Sequence, residues 1–74
     1  MKYKIRLETQ TDILNFVNIA SQMRGNVFLT DGEHFKLNAK SLLGVMYSAA
    51  EWENIFVEAE EECFIEFKNF IDLD

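Results

Sequence analysis

Few side chains in this 74-residue chain carry reactive chemistry: one His, one Cys and a run of glutamates. His34 stands between Glu33 and Phe35. A histidine that accepts a phosphoryl group or moves protons works best at a helix N-terminus beside an arginine, where donors hold the anion. His34 has neither in its sequence neighbourhood and reads as an exposed or half-exposed residue opening a hairpin strand; phosphoryl acceptance there is the alternative. Cys63 lies behind Glu60, Glu61 and Glu62. Negative neighbours oppose thiolate formation, so a buried, structural thiol is expected. Glu58 and Glu60–Glu62 lack the spacing and the loop glycine of a calcium loop and read as a solvated helix start. No glycine-rich phosphate cradle is present, and no catalytic, cofactor or metal residue is assigned.

The remaining candidate is Ser41, within Asn38-Ala39-Lys40-Ser41-Leu42-Leu43-Gly44-Val45-Met46. At the start of an amphipathic helix, Asn38 or Ser41 is available to cap a backbone N–H, with Leu42, Val45 and Met46 facing the core. Leu43 falls off that stripe. Leu43, Met46 and Tyr47 are expected to form a small exposed apolar patch beside the serine. A phosphate added to Ser41 would meet free N–H groups and the helix dipole, with Lys40 alongside, so modification need not unfold the helix.

The elements that position these residues follow from periodicity. Tyr3, Ile5 and Leu7 alternate with Lys2, Lys4, Arg6 and Glu8, the period of a half-buried strand over residues 2–8. From Asp12 the spacing of Ile13, Phe16, Val17, Ala20 and Met23 is helical, with Thr11 or Asp12 as N-cap and Arg24-Gly25 as the stop. Residues 26–30 and 34–38 flank Asp31-Gly32-Glu33 and predict a hairpin. A second helix opens near Ser41. Residues 54–59 predict a fourth strand with Ile55, Val57 and Ala59 alternating. Cys63, Phe64, Phe67, Phe70 and Ile71 predict a last helix, its opening acids suiting the positive end of the dipole. The order β-α-β-β-α-β-α predicts an α+β open-faced β-sandwich, a four-stranded antiparallel sheet with the helices on one face.

Composition bounds the rest. A chain of this length hides roughly 60% of the surface its unfolded form exposes, which allows one domain over residues 1–74. Seven Phe, two Tyr and one Trp within an apolar fraction of 49% supply its core. A single Cys excludes an internal disulfide, and there is no proline to mark a linker. Thirteen acids against seven bases give a net charge of −6, which argues against a nucleic-acid partner. No apolar run is long enough for a membrane span, and the first ten residues lack the apolar stretch of a signal peptide, so a cytoplasmic location is expected.

The segment Asn38–Met46 resembles the regulatory-site segment of HPr, the histidine-containing phosphocarrier family of the bacterial sugar phosphotransferase system. The resemblance extends over the opening strand, Phe16–Ser21 in the first helix, the Asp31-Gly32 hairpin and Ile55–Glu60. It implies the HPr-like open-faced sandwich. It also implies that Ser41 corresponds to the serine modified by HPr kinase/phosphorylase, and Leu43 and Met46 to apolar residues that meet partners. The family's Gly-Leu-His-Ala-Arg-Pro stretch is replaced by Glu8-Thr9-Gln10-Thr11-Asp12-Ile13-Leu14-Asn15-Phe16, without histidine, arginine or proline and in a shorter loop. Phosphoryl transfer through that loop is therefore not implied. In keeping the serine without the histidine, the chain is similar to the catabolite-repression HPr paralogue. Tyr47–Trp52 replaces the glycine-containing turn usual in the family. The expectation is a non-catalytic, regulatory, protein-binding relative whose partner is HPr kinase/phosphorylase or a transcriptional regulator. The alternatives are a phosphocarrier using His34 and a diverged interaction domain unrelated to sugar transport.

Overall fold

The computed structural model describes residues 1–73. Its elements run β1 (Lys2–Ile5), α1 (Gln10–Gln22), β2 (Val27–Thr30), β3 (Lys36–Asn38), α2 (Leu42–Glu51), β4 (Ile55–Ala59) and α3 (Phe64–Phe67). The strands form one sheet in the order β1-β4-β2-β3, with every neighbouring pair antiparallel. The fold is thus α+β, with three helices and an open four-stranded sheet.

Alternation decides which face is buried. Ile5, Val27, Leu29, Ile55, Val57 and Ala59 join Phe16 and Ala20 of α1, Val45 of α2 and Phe67 of α3 in a single core. Phe16 packs against Phe67 with the rings tilted by 32° and 4.9 Å between centroids, and meets Phe70 edge-on at 5.7 Å. The opposite face carries Lys2, Lys4, Phe28, Phe56, Glu58 and Lys36. Lys2 Nζ lies over Phe56 and Lys36 Nζ over Phe28, so the amines cover rings that the open face leaves half-exposed. These lysines stand on β1 and β3, the two edges, where charge discourages further strand pairing.

Five expectations are corrected. The first helix begins earlier, with Thr9 as N-cap instead of Thr11 or Asp12. Asp12 occupies the third helical position of a capping box: Thr9 Oγ1 accepts from Asp12 N at 3.0 Å, and Asp12 Oδ2 accepts from Thr9 N at 3.1 Å. The first strand is accordingly shorter than 2–8. The hairpin loop is longer than expected and spans residues 31–35, which takes His34 out of the strand. Asp31 Oδ1 accepts from the backbone N–H groups of Glu33, His34 and Phe35 at 2.9–3.1 Å and folds the loop over itself. Those bonds hold the Asp31 carboxyl below its ordinary pKa. Gly32, at φ 87°, supplies the left-handed turn; a Cβ there would sit 2.9 Å from Phe56 Cε2.

The second helix buries a narrower stripe than expected. Only Val45 and Ser48 are buried, whereas Leu42 and Met46 are exposed. Ser48 is small, and its hydroxyl donates to Gly44 O at 2.9 Å, so this face packs closely with its polar atom satisfied. The last segment is not one helix. It makes a single turn, Phe64–Phe67, and then runs beside β1: Arg6 N donates to Phe70 O at 2.8 Å, Asp72 N donates to Lys4 O at 2.9 Å, and Ile71 bridges Ile5. An edge strand with free N–H and C=O groups outcompetes helix continuation there. Asp74, the end of the expected helix, lies outside the described residues.

Candidate functional site

The α2 N-terminus is built from β3 outward. Ala39, fully buried, donates its N–H to Val27 O at 2.8 Å and extends the sheet pairing by one residue. Asn38 then turns the chain: its Oδ1 accepts from Lys40 N at 2.9 Å and its carbonyl accepts from Ser41 N at 3.1 Å. Asn38 is therefore the turn residue and Ser41 the helix cap. Ser41 has extended backbone, and its Oγ accepts from Gly44 N at 3.2 Å. Val45 N donates to Ser41 O at 3.0 Å, closing the first helical turn. No acidic residue occupies that turn.

Around this exposed cap lies an apolar surface. Leu43 is 79% exposed, Tyr47 57% and Met46 42%. Leu42 is also exposed, although its helical spacing with Val45 and Met46 placed it inward. Met46 continues into a shallow groove of 410 Å³ between α2 and the start of α1, lined in part by Leu7, Ile13 and Ala49. The signal that would have found this arrangement is the pair of small residues Gly44 and Ser48, one turn apart. They let α2 settle with only Val45 as its large buried anchor.

Lys40 does not accompany Ser41 as expected. Its ammonium points to the other helix and donates to Met23 O and Gly25 O, each at 2.9 Å. It neutralises the carbonyl end of α1, which has no basic residue in its last turn. The Asn38 turn brings Lys40 within reach of the partial negative charge at the end of α1.

The other candidates are separated from the cap. His34 is exposed in the 31–35 loop, its Nδ1 3.7 Å from Glu33 Oε2 and its ring edge-on to Phe35. Cys63 is fully buried at the N-cap of α3, and desolvation together with Glu62 raises its thiol pKa. The glutamates diverge: Glu58 pairs with Lys36 at 2.7 Å, Glu60 accepts from Asn26 N at 3.0 Å, and Glu62 accepts from the Tyr3 hydroxyl at 2.7 Å. Among the described residues no three His, Cys, Asp or Glu side chains converge as a metal site would require. The Tyr3–Glu62 bond pushes the phenol up to about 12.

At the α1 N-terminus the capping box already fills the anion position. Asp12 Oδ2 accepts from both Glu8 N, at 3.0 Å, and Thr9 N. A carboxylate supplied by the chain itself thus faces the positive end of the dipole. The two helix starts differ in kind: α1 carries an internal anion, and α2 carries only a neutral hydroxyl.

No helix is long and apolar enough to cross a membrane among the described residues. Comparison with family models, curated proteins and solved structures gives no match to this chain.

Proposed function

We propose that this chain is a non-catalytic, protein-binding relative of HPr in which Ser41 is a phosphorylation switch and Leu43, Met46 and Tyr47 are the contact surface. The observation that carries the reading is the exposed Ser41 cap at the one helix start without its own anion, directly beside an exposed apolar patch. The similarity of Asn38–Met46 to the family's regulatory segment points the same way. A phosphate on Ser41 would take over the acceptor role toward Gly44 N and engage the N–H groups of the first turn, which have no intrahelical acceptor. The helix would keep its cap, and the apolar patch would gain a neighbouring dianion. Partner affinity then changes through charge next to Leu43 and Met46, with no requirement for refolding.

The phosphocarrier role is left out of this reading because Asp12 occupies the α1 start, where a transferred phosphoryl group would have to be held. The partner is HPr kinase/phosphorylase as the modifying enzyme, or a transcriptional regulator as the reader of the switch. Incubation with HPr kinase/phosphorylase and ATP, beside HPr as positive control, is expected to add one phosphate at Ser41, located by peptide mass spectrometry. An unmodified Ser41 under conditions that label HPr fully removes the switch from the reading. Capture of the regulator that is equal for the parent chain, Ser41→Asp and Leu43→Ala removes the contact surface as well.

A further inference from the structure

A second exposed surface lies at the opposite end of α2. Phe35, in the hairpin loop, is 59% exposed and stacks on Trp52 with centroids 6.4 Å apart and planes 19° from parallel. Trp52 is the C-cap of α2, its N–H donating to Ser48 O at 3.0 Å. Of this pair, Trp52 lines a recess of 250 Å³ between the hairpin loop and the α2–β4 connection. The recess is lined by Asp31, Glu33, Glu51, Trp52, Glu53 and Asn54, with no basic side chain among them. The α2 carbonyl end adds its own negative pole there, and no basic residue stands in its last turn.

The charge and the ring faces specify the occupant. We infer that the Phe35–Trp52 platform and its acidic rim dock an arginine-bearing segment of a partner protein. A guanidinium is planar and weakly hydrated, stacks on an aromatic face and presents a fork that matches carboxylates. Here Phe35 and Trp52 offer the stacking surface, and Glu51, Glu53 and Glu33 offer carboxylates beside it. Asp31 contributes charge only, because its Oδ1 is engaged by the loop backbone. The carboxylates do not converge tightly enough to close on a metal ion, and spread acids beside the exposed Phe35 and half-buried Trp52 rings fit a broad organic cation better than a point charge. His34, in the same loop, has its Nδ1 3.7 Å from Glu33 Oε2 and its ring edge-on to Phe35. This surface is independent of the Ser41 patch, so one small domain would engage an apolar partner face at one end of α2 and a basic segment at the other.

Trp52 is the chain's single tryptophan and reports directly on the site. The full chain is titrated with a short blocked peptide carrying two arginines, and separately with the same peptide carrying citrulline in their place. A saturable change in Trp52 emission is expected with the arginine peptide. Affinity is expected to fall about ten-fold with citrulline, in Phe35→Ala, and in the double variant Glu51→Gln/Glu53→Gln, and to be unchanged in Leu43→Ala. The double variant keeps the test sharp should Phe35→Ala disturb the loop, since removing negative charge at a helix C-terminus favours the helix. The inference is overturned by no saturable response, by equal binding of the citrulline peptide, or by full affinity in the double variant. It is also overturned by sedimentation showing a dimer of this chain that Phe35→Ala dissociates, because the platform then belongs to a second copy.

Discussion

Replacing Ser41 by Ala tests the geometry on which the proposed switch depends. The hydroxyl oxygen is the acceptor for Gly44 N, Asn38 is already committed to Lys40 N, and no acid stands in the first turn to compensate. Losing a serine N-cap costs about 1 kcal/mol. A domain of this length has a total stability of about 4–11 kcal/mol, so that loss is a visible fraction. It corresponds to a fall in Tm of roughly 4–8 °C for a domain of this size. Ser41→Asp restores the acceptor and places a negative charge at the positive end of α2, which contributes about 0.3–1 kcal/mol of its own. Thermal unfolding followed by circular dichroism, with urea titration as a second measure, should therefore rank parent and Ser41→Asp together above Ser41→Ala. Ser41→Asp as unstable as Ser41→Ala would refute the cap reasoning. An anion would then be unwelcome at this helix start, and the account of phosphorylation without unfolding would fall with it.

Three further outcomes follow from the packing. Gly32→Ala should destabilise the chain by about 1–3 kcal/mol in urea unfolding, because it combines positive φ with a Cβ driven against the Phe56 ring. Lys40→Met should cost about 1 kcal/mol by removing the donor to the Met23 and Gly25 carbonyls just past the end of α1, while leaving phosphorylation of Ser41 unchanged. Tyr3 should ionise near pH 12 in the folded chain, read from phenolate absorbance, and Glu62→Gln should bring it back toward the ordinary value. Since folding raises this pKa, the Tyr3 contribution to stability is complete below about pH 10 and is lost as pH climbs from there toward the folded value.

Local rules carried the reading of the elements a long way. The alternation at Ile55, Val57 and Ala59 and the helical spacing at Phe16 and Ala20 both describe buried faces of the folded chain. The Ser41 cap was legible as well, since a serine before an apolar run has few other places to be. Reading failed where a side chain had a choice of partner. Thr9 displaced Thr11 because Asp12 could answer it across one turn, and Asp31 gathered three N–H groups and lengthened the hairpin loop. Leu42 and Met46 moved outward because Ser48, satisfied by Gly44 O, proved an acceptable core residue.

The amino-acid sequence by itself determined an acidic chain, the order of its elements, which face of each strand is buried, and the serine at the α2 start. These depend on period and on neighbours within a few positions, and both are written in the chain. Tertiary structure alone decided where the long side chains and the ends went. It sent Lys40 to the carbonyls at the end of α1, pairing residues a whole β-hairpin apart in sequence. It laid residues 70–72 along β1 instead of extending α3, and it stacked Phe35 on Trp52 beside four acids drawn from the hairpin loop, the end of α2 and the α2–β4 connection. Such contacts depend on the relative placement of elements, which the burial of one shared core sets and which no local spacing encodes.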